Sequence, residues 1–325
     1  MKTLAIGIDI GGTRTKIGLV NLSSGQSECN PVESILVAPT ETKDRDRFLR
    51  TIGEAISQLK AKAAAEKAVL AGVGIGVPGF VFADGTVDST YGSLEFMEDY
   101  PLAAHIQQQH DLPCLLDNDA RVVALGEAIY GHGRGRSVGR IPGVPVSRVL
   151  VLTLGTGLGI GFTVDGKLDG QLPFAHMGGH MTIATNDFVC YCGKTGCLES
   201  LVSSAGVIQI ASRTGWIQKY PGLPLTAETI FNQKKAGNFD AEVIVKEYCG
   251  YLKTGIDNYV NLYAPDMIVL GGGIAKGLKS ELSRLHNPVL LNAYKAYKTT
   301  ILLSELEEQA GILGSAALFN ERKRG

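Results

Sequence analysis

One pattern occurs twice in this chain: an apolar run, a glycine turn, then a second apolar run. Leu4 to Ile10 leads into Gly11-Gly12-Thr13, and Thr15 to Val20 follows. Val149 to Leu154 leads into Gly155-Thr156-Gly157, and Leu158 to Val164 follows. Apolar runs bounded in this way read as strands joined by tight turns. The repeat therefore predicts two similar α/β halves facing a cleft. Each half carries a β-hairpin whose tip is built of small residues with free backbone amides. The first turn is not a Walker loop, because no Gly-Lys-Ser/Thr follows it. Nor is it a dinucleotide fingerprint, because a strand follows it rather than a helix.

The stretches between the turns fit the same class. Asp46 to Ala65 reads as an amphipathic helix, with Phe48, Ile52, Ala55 and Leu59 on one face, joined by Leu49 and Ile56. Val69 to Val77 reads as a strand closed by Pro78-Gly79, and Asp84-Gly85 as a hairpin turn. Cys114-Leu115-Leu116 is a short strand that delivers Asp117-Asn118-Asp119 at its end, before a helix over Ala120 to Tyr130. Asp165-Gly166 turns the chain again. Ala241 to Tyr263 reads as a long helix, and Met267 to Leu270 as a strand ending in Gly271-Gly272-Gly273. Gly133 to Pro145, rich in Gly, Pro and Arg, reads as a solvated surface loop.

With 325 residues there is room for two cores. A net charge of −1 gives no global field for nucleic acid or an anionic membrane, so neither is expected as a partner. No apolar run approaches the ~20 residues of a membrane span. Met1-Lys2-Thr3 runs into the first strand without a signal-peptide layout, so a cytoplasmic protein is expected. Six cysteines are too few for a disulfide scaffold. Cys190, Cys192 and Cys197 cluster, which favours metal, while Cys29, Cys114 and Cys249 are scattered and expected to be inert. His105, His110, His132 and His286 have no partner pattern and are expected at the surface, and Trp216 in packing.

Three motifs carry chemistry. At the first hairpin tip, amides of Gly11-Gly12-Thr13 could meet phosphate oxygens while Asp9 holds hydrated Mg2+. The second turn at Gly155-Thr156-Gly157 supplies anion contacts from another side, as phosphoryl transfer requires. Asp119, at a strand end, is the candidate base that accepts a hydroxyl proton. Asp117 or Asn118 could instead cap the helix that follows. Cys190-x-Cys192-x4-Cys197, with His180 ten residues upstream, supplies the Cys₃His set of a closed structural Zn2+ site. Gly193 and Gly196 let the chain fold tightly around the ion.

From Asp9 to the C-terminal Ala310-Gly311-Ile312-Leu313-Gly314-Ser315-Ala316-Ala317, these motifs resemble the ROK family (repressor, open reading frame, kinase). The resemblance implies an actin-like ATPase fold, α/β, with two RNase-H-like domains flanking an ATP/sugar cleft. It divides the chain into 1–118, a large domain 119–304 with the zinc motif, and a helix within 305–325 that returns to the first domain. Asp9, Gly11, Gly12, Thr13 and Lys16 would face the ATP phosphates and Mg2+. Gly155, Thr156 and Gly157 would form the second phosphate loop, and Gly271, Gly272 and Gly273 would lie beside the adenosine. Asn118 and Asp119 look like the sugar-binding Asn and the catalytic Asp, with Gly79 nearby in the substrate set. His180 looks like the residue that ligates zinc and touches sugar, and Glu199 like the acid that contacts sugar after the last cysteine.

The family's repressors carry an N-terminal DNA-binding extension, for which a phosphate turn at residue 9 leaves no room, so a kinase is expected. One departure stands out. The family reads Glu-x-Gly-His before the cysteines, and aligning on His180 puts Met177 where that sugar-holding Glu belongs. His176 could take over the contact, or Met177 could simply pack in the core. The stretch Asp88 to Tyr100 also lacks the family's Asn-Leu-Pro-like segment. The resulting expectation is an ATP-dependent hexose kinase, glucokinase-like, acting on the 6-hydroxyl and assembled as a dimer or tetramer. The alternatives are an N-acetylhexosamine or fructose kinase, a polyphosphate donor, or a non-catalytic sugar sensor.

Overall fold

The computed structural model describes residues 2–23, 31–89, 94–134, 148–168, 175–286 and 299–321. In chain order the first elements are β1 (Thr3–Ile10), β2 (Arg14–Asn21), β3 (Val32–Pro39), α1 (Arg45–Ala65), β4 (Val69–Val77), β5 (Phe80–Val81), β6 (Val87–Asp88), α2 (Leu102–His110), β7 (Cys114–Asn118) and α3 (Asp119–Ile129). Then come β8 (Arg148–Leu154), β9 (Leu158–Val164), β10 (Lys167–Leu168), α4 (Leu198–Val202), α5 (Ser204–Arg213), α6 (Trp216–Lys219), α7 (Ala227–Lys235) and α8 (Phe239–Tyr263). The last are β11 (Met267–Gly271), α9 (Leu282–Leu285), β12 (Thr300–Leu303) and α10 (Ala310–Glu321). They form two compact units, one of Met1–Gly135, Gly161–His176 and Leu306–Gly325, the other of Arg136–Ile160 and Met177–Glu305.

The first unit is built on a sheet of order β3-β2-β1-β4-β7. β1 and β2 are the expected hairpin, antiparallel, with Asp9 opposite Lys16. β4 and β7 run parallel to β1, so Asp9 pairs with Gly76, and Gly76 with Asp117. That register brings Asp9 and the Asp117-Asn118-Asp119 run to the same end of the sheet. Successive side chains in a strand alternate faces. Leu4, Ile6 and Ile8 accordingly pack with Phe48, Ile52 and Ile56 of α1 and Ile106 of α2, while Ala5 packs on the other side with Ile312, Leu313 and Ala316 of α10.

Glycines let α10 lie directly on the strands. A Cβ on Gly7 would stand 2.0 Å from the Ile312 carbonyl oxygen, and one on Gly74 would stand 1.8 Å from that of Ser315. Ser315 Oγ then donates to the Ile8 carbonyl at 2.8 Å. α3 packs on the same helix through Val122, Leu125, Ala317 and Leu318. Gly314 permits that crossing, since a Cβ there would collide with the Val122 carbonyl at 1.6 Å. α3 therefore falls in the first unit, whereas the sequence reading started the second domain at residue 119.

In the second unit β8 lies between β9 and β11, with β12 beyond β11. β11 runs parallel to both β8 and β12, with Gly271 opposite Thr153. The first three residues of β9 belong to this unit, and β10 pairs with the far end of β9 in the first. Leu198, Leu201, Ile210, Ile230, Phe231, Tyr248 and Leu252 form a buried layer from α4, α5, α7 and α8. Trp216 is buried, as expected of a packing residue.

Two expectations fail. His110 and His132 are buried rather than at the surface. His110 completes the face of α2 made by Leu102 and Ile106, at helical spacing. Cys114 and Cys249 behave as expected of inert thiols, since burial pushes each up to about 12. Among the described residues no helix is long and apolar enough to cross a membrane.

Candidate active site

The first hairpin tip is braced from the side. Gly11 N–H donates to the Arg14 carbonyl at 3.1 Å, closing the turn. Thr40 Oγ1 donates to the Gly11 carbonyl at 2.7 Å, and Thr40 N–H to that of Thr13 at 3.0 Å. Gly12 and Thr13 stay exposed. Asp9, just before the turn, has Lys16 Nζ 3.7 Å from Oδ2. Burial pushes the Asp9 carboxyl up, and Lys16 pulls it partly back. Lys16 also lies 3.9 Å from Glu308, which faces Arg14 as well.

Asp119 opens α3. Asn118 is the cap of that helix, its Oδ1 accepting from Ala120 N–H at 3.0 Å and Arg121 N–H at 3.3 Å. Asn118 Nδ2 donates to the Gly79 carbonyl at 3.0 Å, tying the Pro78-Gly79 turn to the strand end. Asp117 is held by Arg121, through Nε at 2.5 Å and a second guanidinium nitrogen at 3.3 Å. Ion pairing thus falls to Asp117 and most of the capping to Asn118, while Asp119 Oδ1 shares the Ala120 N–H at 2.8 Å. Burial, then the charge of Asp9, pushes its carboxyl up to about 6, although the Ala120 N–H opposes the shift. Gly76 makes room between the strands: a Cβ there would stand 3.4 Å from Asp119 Cα and 2.4 Å from Val122 Cγ2.

In the second unit, Gly155 N–H donates to the Gly157 carbonyl at 3.1 Å, and Ser204 at the start of α5 holds the Gly155 carbonyl through N–H (2.8 Å) and Oγ (3.0 Å). Thr156 is exposed at the tip. The Gly271-Gly272-Gly273 turn lies against the same strand end. Gly272 has φ +85, and a Cβ there would stand 2.4 Å from the Leu154 carbonyl oxygen. Both glycine turns of this unit therefore meet at the end of β8. Around Gly273 there is open space.

His180, Cys190, Cys192 and Cys197 converge, with one ligand atom from each lying within 4.8 Å of the others. Zn–S bonds of about 2.3 Å and Zn–N bonds of about 2.0–2.1 Å in a tetrahedron imply ligand atoms about 3.5–3.8 Å apart. Cys192 Sγ and Cys197 Sγ are 3.7 Å apart, and His180 Nδ1 and Cys190 Sγ 3.5 Å. The donor set and its spacing thus fit a zinc ion. Gly193 and Gly196 both have positive φ, as the tight fold around the cluster requires. Lys194 Nζ donates to the His180 carbonyl at 2.7 Å and so pins the loop to the histidine.

His180 turns its other nitrogen away from the cysteines. Nε2 is 3.1 Å from Tyr191 Oη and 3.9 Å from Glu199 Oε2. Glu199 is nearly buried between the two glycine stretches, its oxygens 3.2 Å and 3.3 Å from where Cβ atoms of Gly157 and Gly179 would lie. Burial pushes its carboxyl up to about 7, with the Leu158 N–H holding it back. Met177 is 40 % exposed, which excludes the core-packing role.

Sequence reasoning did not single out Thr40, Gly311, Tyr191 or Tyr259. Gly311 is pressed against Asp9, and Tyr259 is buried beneath Gly178 with its hydroxyl unpartnered. Thr40 and Tyr191 carry no local sequence signal for these contacts. The side chain of His176, residues 90–93 of the Asp88 to Tyr100 stretch, Cys29, and Gly135 to Pro145 of the Arg-rich loop lie outside the described residues.

A model of the ROK family matches residues 5–322. A glucokinase of Halalkalibacterium halodurans is 29% identical over 98% of this chain and 95% of its own length. An N-acetylmannosamine kinase of Vibrio cholerae is 28% identical over 99% of this chain and 100% of its own. Among solved structures, a ROK family glucokinase from Streptomyces griseus in complex with glucose and AMPPNP is 25% identical, with a TM-score of 0.74, covering 98% of this chain and 99% of that one. The α/β fold is that of the actin-like ATPases.

Proposed function

The chain belongs to the ROK family, and on that premise we propose that it is a sugar kinase that transfers the γ-phosphoryl group of Mg·ATP to the 6-hydroxyl of glucose or a related hexose. The observation that carries this reading is Asp119, an acid at the strand end beside Asp9 whose carboxyl is pushed up to about 6. A carboxylate that ionises just below neutral pH is suited to take a proton from a hydroxyl.

The roles follow from the chemistry of each group. Asp119 accepts the hydroxyl proton as the oxygen attacks phosphorus. Asn118 holds the acceptor, with the Gly79 carbonyl fixing its amide. Amides of Gly11, Gly12 and Thr13, and of Gly155, Thr156 and Gly157, take phosphate oxygens. Gly271, Gly272 and Gly273 leave space for the adenosine. Asp9 would hold the water shell of the Mg2+ that comes with the nucleotide, an ion that would supply charge neutralisation on the transferring group. Lys16 balances Asp9 before the nucleotide binds. The transition state is loose, so most of the acceleration comes from positioning and charge neutralisation. His180, Cys190, Cys192 and Cys197 would hold zinc as a closed set of four protein ligands, which would fix the loop that presents His180 and Glu199 to the acceptor.

Met177 supports a second reading, a kinase of an N-acetylhexosamine, because a thioether is a poor acceptor for sugar hydroxyls. A non-catalytic sensor is disfavoured by the intact Asp9, Asp119 and glycine turns. A coupled ADP-release assay over hexoses and N-acetylhexosamines tests the proposal. ADP release that depends on one of these sugars is expected, and its absence across the panel contradicts it.

A further inference from the structure

Tyr191 stands between two of the cysteines and has no part in the chemistry above. Its side chain is 61 % exposed, yet its ring meets that of His180 edge-on at 5.1 Å, and its hydroxyl lies 3.1 Å from Nε2. An imidazole that turns Nδ1 to a metal carries its one proton on Nε2. That N–H meets the phenol oxygen. The next polar atom is Glu199 Oε2, and Glu199 reaches the Gly157 turn. Phenol, imidazole and carboxylate thus form a line from the surface to the turn.

Two further exposed side chains lie on the segments that carry His180 and Tyr191. Met177 and His180 lie in the 3₁₀ stretch Ala175–His180. Residues three apart in such a helix share a face, so Met177 is on the same face of it as His180. Val189, two residues from Tyr191, is exposed as well. Exposed large apolar side chains on the segments that carry His180 and the cysteines mark a surface suited to an apolar part of a ligand.

We infer that Tyr191 is a specificity-determining residue of the acceptor site. Its phenol occupies the N–H that His180 would otherwise give to a sugar hydroxyl, and with Met177 it presents an apolar wall to a hexose bearing an acylamino group. The inference rests on the reading that His180 and Glu199 face the acceptor.

Equilibrium binding tests it independently of turnover. Titration calorimetry with N-acetylmannosamine, N-acetylglucosamine, mannose and glucose would be run on the zinc-loaded chain and on Tyr191→Phe, with metal content measured on both. The native chain should bind at least one acylamino hexose about tenfold more tightly than its parent, the scale of one hydrogen bond. Tyr191→Phe should keep its zinc and narrow that ratio at least about threefold, by tightening the parent sugar. Tyr191→Leu, which also removes the hydroxyl, should move the ratio the same way. A native preference for the parent sugar, a smaller change in both variants, or no binding by any of the four sugars overturns the inference. Failure of the kinase reading would show separately, as sugar binding without ADP release.

Discussion

Gly311 opens α10 directly against Asp9: a Cβ on Gly311 would stand 2.4 Å from Asp9 Cγ and 2.6 Å from Oδ2. The first turn of that helix therefore sets where the carboxylate can sit. The dipole of that helix also favours a negative charge at that place. Asp9 is held between this backbone and Lys16, with its charge felt by Asp119.

Gly311→Ala should consequently impair catalysis without weakening the helix, since alanine is the better helix former by about 1 kcal/mol. A fall in kcat of at least about tenfold is expected, with a higher Mg2+ requirement and a preserved circular-dichroism spectrum. Unchanged turnover and Mg2+ dependence would show that the position of Asp9 does not matter.

Cys192→Ser should lose the metal and loosen the loop that presents His180 and Glu199. KM for sugar should then rise more than KM for ATP. Metal analysis of the native protein should find about one zinc per chain, and a zinc-free preparation with normal sugar KM would refute this role.

Met177→Glu should improve activity on glucose relative to the preferred sugar, because a carboxylate accepts hydroxyl hydrogen bonds that a thioether does not. A charge-assisted hydrogen bond of about 1.5–3 kcal/mol corresponds to a ten- to hundredfold change in affinity. Tight glucose binding by the native chain, with no change in the variant, would show that Met177 does not read the sugar.

Much of this was legible in the chain because glycine ends the apolar runs. β1, β4, β8, β9 and β11 match the expected strands closely, and the Cys₃His set converges as its spacing implied. β3 was missed because it is an edge strand with no fully buried residue, so it carries no core pattern. α3 packs on α10, which comes from the far end of the chain, through close approaches such as Gly314 to Val122 and Gly126 to Ala310 that no local pattern marks. His110 is buried because it lies one helical turn beyond Ile106, a position that its residue type alone does not signal. Tyr191 and Gly311 act through contacts made in three dimensions, and no motif marks them.

Asp119 should also cost the fold stability near neutral pH. Its folded carboxyl lies near 6, against about 3.9 in an unfolded chain, so the native state holds this proton more tightly. The resulting stabilisation is fully present below about pH 3.9 and is lost as pH rises through about 6. Asp119→Asn should accordingly raise the unfolding free energy measured by urea at pH 8, by roughly 1–3 kcal/mol, and have little effect at pH 4. Equal effects at both pH values would argue against a carboxyl raised in the folded chain.

The most direct measurement of the central claim is the rate of sugar-dependent ADP release by Asp119→Asn at saturating sugar and ATP. If Asp119 takes the hydroxyl proton, kcat falls by at least about 10², while sugar affinity measured at equilibrium stays within a few-fold of native. In the native enzyme kcat/KM should rise as pH passes through about 6, where Asp119 ionises. Near-native turnover by Asp119→Asn would contradict the account.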